Sequence, residues 1–153
     1  MITVTAWQPI AAALIKPFEG IKLTAYPDPA TGGDPWTVGY GATGPDIRKG
    51  TVWTQAQAED RFLEHLQQFG DGVAKLVKTA PTTAHQFAAL VSLAYNIGLE
   101  NLRHSMLLRL HLEGDYAGAQ AQFIRWNKAA GKIMAGLTRR RNAEALVYGK
   151  GDE

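Results

Sequence analysis

The sequence predicts an α+β protein: a small β-rich lobe over about residues 21–53, and a mainly helical lobe over about residues 54–149 together with an N-terminal helix. Three observations predict it. Apolar residues recur at helical spacing before residue 19 and again after residue 54. Turn signals at Pro27–Pro29, Gly32–Pro35 and Gly44–Asp46 divide the stretch between them into short alternating runs. Thr54–Gln57 and Thr83–Gln86 both have the form of a capping box, each opening an apolar helical pattern. At 153 residues the chain fits one domain, large enough to bury roughly 70% of its unfolded surface.

The first helix is expected from about Trp7 to Phe18, with Ile10, Leu14 and Phe18 as its buried stripe. Pro17 lacks a backbone donor and should kink or end the last turn, and Gly20 is a natural exit residue. In the β-rich lobe, Trp36–Tyr40 alternates as a strand, with Trp36, Val38 and Tyr40 opposite Thr37 and Gly39. From residue 54 onward the pattern is helical throughout. The long helix after Thr54 keeps Ala58, Phe62, Leu66, Phe69 and Val73 on one side, with Gly70 and Gly72 as bending points. The helix after Thr83, carrying Phe87, Leu90, Val91 and Tyr95, reads as the central core element and stops at Gly98. Further helices are expected at about Ser105–Leu112, Asp115–Asn127 and Gly136–Tyr148. A helix, a small sheet and a helical bundle in that order imply a cleft between two lobes.

Composition narrows the function classes. The apolar and charged fractions, 46% and 20%, are those of a soluble globular protein. With zero cysteines there is no disulfide, thiol nucleophile or cysteine zinc site. His65, His85, His104 and His111 have no spacing that suggests a metal centre, and no nucleotide motif is present, so no cofactor is expected. Met1–Phe18 has no basic n-region and its Pro9 and Pro17 bracket seven residues, so neither a signal peptide nor stable membrane insertion is expected. The net charge of +2 is uneven: residues 1–100 carry −2 and residues 101–153 carry +4. A basic C-terminal part suits an anionic polymer as partner, or is simply a solvated face.

Chemistry concentrates in Glu19–Gly41. Glu19 ends an apolar helix beside Phe18, where burial and the negative end of the helix dipole both disfavour ionisation. Asp28 lies in the Tyr26-Pro-Asp-Pro29 turn, and Thr37 follows on the strand. Glycoside hydrolysis needs one carboxyl kept protonated and another kept ionised, and a hydroxyl that both donates and accepts can hold the attacking water. A solvated helix-end glutamate, a turn aspartate and a strand threonine are the plain alternatives.

Together these residues resemble the phage-type lysozymes, the endolysins of glycoside hydrolase family 24, over about Leu14–Tyr148. The blocks that carry the resemblance are Phe18-Glu-Gly20 with Ala25-Tyr-Pro-Asp28, then Trp36-Thr-Val-Gly-Tyr-Gly41, the Gln86–Gly98 helix, Gly136–Leu146, and the smaller Phe123–Trp126. The resemblance implies a lysozyme-like fold. It also implies cleavage of the β-1,4 bond between N-acetylmuramic acid and N-acetylglucosamine in peptidoglycan, with inversion. Glu19, Asp28 and Thr37 match the family's catalytic Glu, Asp and Thr. Glu19 would protonate the glycosidic oxygen while Asp28 and Thr37 orient water, which requires the two carboxyl groups about 6.5–9.5 Å apart. An arginine of the Arg139–Arg141 run would pair with Glu19, Arg140 or Arg141 being the counterpart, and these two with Tyr40 are expected at the substrate. Trp36 and Tyr40 fit either the core or the sugar cleft; Trp53, Tyr95 and Trp126 fit the core.

Two departures from the family matter. Eight residues separate Asp28 from Thr37 where five are common, so the extra length belongs at a hairpin tip around Thr31–Asp34. This leaves Asp34 as a rival second carboxylate, although the spacing from Glu19 favours Asp28. Ala42 stands where the family often has histidine. The resemblance further implies a monomer made in a bacterial host's cytoplasm that acts on the wall from the periplasm once a holin has opened the inner membrane. The alternatives are a lytic transglycosylase acting on the same bond, a non-catalytic wall-binding module and a cationic membrane-disrupting protein. A nucleic-acid partner is not expected, because no binding motif or aromatic set accompanies the arginine run.

Overall fold

Seven α-helices, one 3₁₀ turn and two small antiparallel hairpins make up residues 4–150, which the computed structural model describes, with side chains described from Trp7 onward. Along the chain these are α1 (Val4–Glu19), β1 (Lys22–Tyr26), β2 (Thr37–Gly39), α2 (Gln55–Val77), α3 (Ala84–Ile97), α4 (Leu99–Arg103), α5 (Met106–Leu112), α6 (Tyr116–Gln122), the 3₁₀ turn Phe123–Trp126, β3 (Lys128–Ala129), β4 (Lys132–Ile133) and α7 (Ala135–Tyr148). The chain divides into two compact units, one formed by Ile15–Gln67 and the other by the remaining described residues.

In the larger unit α3 is the core element. Every residue from Gln86 to Ala94 is buried, so this helix is apolar nearly all round, as a fully enclosed helix must be. Its start carries the expected capping box: Gln86 N–H donates to Thr83 Oγ1 at 3.0 Å and Thr83 N–H to Gln86 Oε1 at 3.0 Å. α7 packs along it. In α1 the buried stripe is Trp7, Ala11, Leu14 and Ile15, not the predicted Ile10, Leu14 and Phe18; Phe18 is 38% exposed. Trp7 sets that rotation. Its indole lies edge-on to Phe87 at 5.0 Å and fills the space above Gly70, where a Cβ would meet the ring at 2.5 Å. Gly70 and Gly72 therefore do not bend α2, which runs unbroken; they make room for Trp7 and Leu99. Two elements carry no periodic signal in the sequence: the five residues of α4 are too few to show one, and the two-residue strands of the β3–β4 hairpin fall between the expected helices Asp115–Asn127 and Gly136–Tyr148.

The smaller unit holds the β1–β2 hairpin, the end of α1 and the start of α2. Pro17 does not end α1: Gly20 N–H still donates to Lys16 O at 2.9 Å, and the exit comes at Gly20 with φ +66°. β1 pairs with β2, Lys22 opposite Gly39 and Tyr26 opposite Thr37. Residues 51–53 run along the other edge of β1, with Ala25 N–H donating to Thr51 O and Trp53 N–H to Leu23 O, both at 2.8 Å. Ala25, Val38, Ala42 and Ile47 form a small core against which Trp36 and Trp53 pack. The predicted Trp36–Tyr40 strand is shorter, Thr37–Gly39, because Gly39 and Gly41 turn the chain at φ +70° and +80°. α2 opens with the other capping box, Gln57 N–H to Thr54 Oγ1 at 3.1 Å and Thr54 N–H to Gln57 Oε1 at 2.8 Å.

Candidate active site

The three residues predicted to carry chemistry all belong to the smaller unit. Glu19 is the last residue of α1 and is half-buried. Its carboxylate lies against the backbone of Gly41, so close that a Cβ built there would sit 2.7 Å from Oε1. The glycine has φ +80°, a conformation that other residues adopt only with strain, and a side chain there would have to displace the carboxylate.

Asp28 and Thr37 flank the same end of the β1–β2 hairpin. Thr37 opposes Tyr26, and Asp28 follows Tyr26 by two residues. Asp28 organises the tip. Its Oδ1 accepts Ala30 N–H at 2.9 Å, its carbonyl accepts Thr31 and Gly32 N–H at 3.2 and 2.8 Å, and its own N–H donates to Gly33 O at 2.9 Å. These bonds hold the half-buried Asp28 in one place. Thr37 Oγ1 reaches Pro35 O only at 3.5 Å, a weak bond that leaves the hydroxyl able to bind water. Thr31–Asp34 lie in the connection between β1 and β2, where Thr31 Oγ1 donates to Asp34 O at 2.7 Å. Asp34 is exposed, beyond the turn that Asp28 closes, and precedes a cis Pro35.

Tyr40 is 9% exposed, so its ring is core. It packs on Phe62 at 5.2 Å and its hydroxyl donates to Glu59 Oε1 at 2.7 Å. That bond to a carboxylate raises the phenol above its usual range, with burial adding to it. Sequence reasoning passed over Glu59 and Lys16, which meet at 2.6 Å. The Lys16 ammonium and then the Tyr40 hydroxyl hold the Glu59 carboxyl below the usual carboxylate range. The available signal was positional: Lys16 lies one helical turn before Glu19.

Arg140 and Arg141 lie in the larger unit, and there the default reading of a bare basic face is corrected. Of the run, only Arg139 is exposed; Arg140 is 4% and Arg141 0% exposed. Both converge on Glu144, itself fully buried: Arg141 Nε is 2.7 Å from Oε1 and Arg140 Nε 3.3 Å from Oε2. Ser92 Oγ donates to Oε2 at 2.6 Å, and Arg140 Nη2 donates to Ser92 O at 3.3 Å. Burial pushes the Glu144 carboxyl up, against the pull of the two guanidinium groups and the serine hydroxyl. Glu144 was missed, although its spacing of three and four from the arginines puts it on their helix face.

Among the described residues no group of three or more His, Asp or Glu side chains is arranged to hold a metal ion, and no helix is long and apolar enough to cross a membrane. What the smaller unit offers is a carboxyl on a glycine floor, and a turn aspartate beside a strand hydroxyl, the parts that acid-assisted attack by water requires.

The chain is similar to known proteins over most of its length. The family model described as phage lysozyme matches residues 16–144. The chain is 46% identical over 138 residues to an endolysin of Bacillus phage PZA, a match taking in 90% of this chain and 53% of that protein. It thus spans about half the length of the first curated relatives it matches. Among solved structures it resembles the muramidase domain of SpmX from Asticaccaulis excentricus, with TM-score 0.84 and 33% identity, covering 95% of this chain and 98% of that one. An endolysin from the Escherichia coli phage FAHEc1 superposes with TM-score 0.83 and 35% identity, over 94% and 93%. The lysozyme-like fold expected from the sequence is therefore the fold observed.

Proposed function

We propose that this chain, which belongs to the phage lysozyme family, hydrolyses the β-1,4 bond between N-acetylmuramic acid and N-acetylglucosamine in bacterial peptidoglycan and so degrades the wall of a host cell. In this reading Glu19 protonates the glycosidic oxygen as the bond breaks. Asp28, ionised, takes the proton of the attacking water, and Thr37 holds that water through its hydroxyl. The observation that carries the reading is the placement of all three groups in one unit: Glu19 on the Gly41 floor, with Asp28 and Thr37 at one end of the adjoining hairpin. Asp28, fixed by four hydrogen bonds of its turn, suits a positioned base better than the exposed Asp34.

Tyr40 enters the proposal as a support behind the site, through its hydrogen bond to Glu59. The chain would act as a monomer. It would reach the wall from the cytoplasm after a holin has opened the inner membrane; the similarity to phage endolysins supports that route.

The test is mass spectrometry of purified peptidoglycan digested by the wild type and by Glu19→Gln. Reducing-end muramic acid from the wild type, absent with the variant, is the expected result. Anhydro-muramic products would make the protein a transglycosylase. An equally active Glu19→Gln would remove Glu19 from the mechanism.

A further inference from the structure

One carboxylate touches both segments that shape the surroundings of Glu19. Glu59, in the first turns of α2, accepts Lys16 Nζ at 2.6 Å, Tyr40 Oη at 2.7 Å and Gln55 Nε2 at 3.0 Å. Lys16 is one turn before Glu19 on α1. Tyr40 immediately precedes Gly41, the floor under the Glu19 carboxylate. The Lys16 ammonium also sits 5.1 Å from the centroids of both the Tyr40 and Phe62 rings. Glu59 thus joins the helix that delivers the carboxyl to the turn that receives it.

We propose that Glu59 is a positioning residue for Glu19, fixing the carboxyl over Gly41 by binding Lys16 on one side and Tyr40 on the other. The inference rests on the reading of Glu19 as the acid. Stability alone gives little reason for the arrangement, because Lys16 and Glu59 are each one-third exposed and such pairs contribute little to folding. Geometry gives a strong one. Catalysis depends on sub-ångström placement of the reacting group, and a movement of about 1 Å costs up to 10²-fold in rate. Two donors from different segments, Lys16 and Tyr40, converging on one carboxylate restrict both segments at once, which a purely apolar contact between Tyr40 and Phe62 does not.

The experiment measures kcat and KM on soluble peptidoglycan fragments for Glu59→Ala, Glu59→Gln and Tyr40→Phe, each rate divided by the folded fraction from near-ultraviolet circular dichroism. Glu64→Gln serves as control, an exposed carboxylate on the same helix whose contact is Arg61 at 3.6 Å. Glu59→Ala is expected to lose about 10-fold in kcat per folded molecule with KM within about twofold. Tyr40→Phe should lose about threefold. Glu59→Gln should fall between, because its amide oxygen still accepts from Tyr40 while its amide nitrogen faces Lys16. A role in stability alone predicts wild-type rates per folded molecule, and that result for Glu59→Ala overturns the proposal. If Glu59→Ala does not fold, wild-type rates in both Glu59→Gln and Tyr40→Phe overturn it. Glu19→Gln run alongside separates the two readings. If it is inactive while the Glu59 variants are normal, only the positioning role fails; if it is fully active, both fail.

Discussion

Glu19 Oε1 and the position of a Cβ on Gly41 would be 2.7 Å apart, so the carboxylate occupies space that any side chain at residue 41 would claim. At φ +80° the glycine is also in a region that costs other residues about 1–2 kcal/mol. Gly41→Ala therefore carries two penalties, and the steric one falls on the candidate acid. The expected outcome is a loss of about 10- to 100-fold in peptidoglycan hydrolysis, with a fall in stability of about 1 kcal/mol in urea titration. A stable, fully active Gly41→Ala would show that the carboxyl is free to work elsewhere.

Asp28 and Asp34 are separated by the turn that Asp28 closes. Asp28→Ala should abolish most activity, on the order of 10²-fold, as loss of a general base does. Asp34→Ala should remain within about threefold of wild type, since its side chain is exposed and outside that turn. Turbidity clearing of bacterial walls by the two variants gives the comparison, and the reverse ranking would move the second carboxylate to Asp34.

Glu144 stands between two buried guanidinium groups and a buried serine. Removing it leaves both cations without their shared anion, for which the typical cost is about 3–5 kcal/mol. Glu144→Ala should show a loss of that order in denaturant unfolding. Arg139→Ala, on the exposed member of the run, should change stability by no more than about 0.5 kcal/mol. An equal response from the two variants would mean that the buried cluster does not hold the larger unit together.

His111 is fully buried, with Nε2 2.9 Å from Thr82 Oγ1, Nδ1 2.6 Å from Tyr148 Oη, and its ring edge-on to Tyr116. Burial lowers its pKa from 6.5 to about 4. The folded value is therefore below the unfolded one. Below about pH 6.5 the unfolded chain takes up a proton that the native state refuses, so this contribution to stability is complete above pH 6.5 and is lost as pH falls toward about 4. The two values correspond to about 3 kcal/mol over that window. Thermal unfolding of the wild type should weaken between pH 6.5 and 4, and His111→Gln, less stable at neutral pH, should weaken less over the same range. Parallel curves would assign the acid sensitivity to other groups.

Local signals in the chain are legible where a cap or a stop decides the outcome. The capping boxes at Thr54 and Thr83, the helix stop at Gly98 and the aspartate cap at Asp115 are settled by hydrogen bonds spanning three or four residues. Glu19, Asp28 and Thr37 stand out in the sequence because they sit in short segments of distinctive composition. What sequence alone left undecided depends on partners far along the chain. Which face of α1 is buried follows from the indole of Trp7 settling over Gly70, and helical periodicity alone is satisfied equally well by a stripe one residue over. The charge of Arg140 and Arg141 argued for solvent, and only the tertiary structure brings Ser92 within 2.6 Å of Glu144 to complete an interior ion cluster. Tyr40 became core by the same kind of event, its hydroxyl finding Glu59 nineteen residues away. Composition and spacing set which groups exist and which local turns form; burial, and with it charge balance and the exact place of each functional group, is decided when distant segments pack.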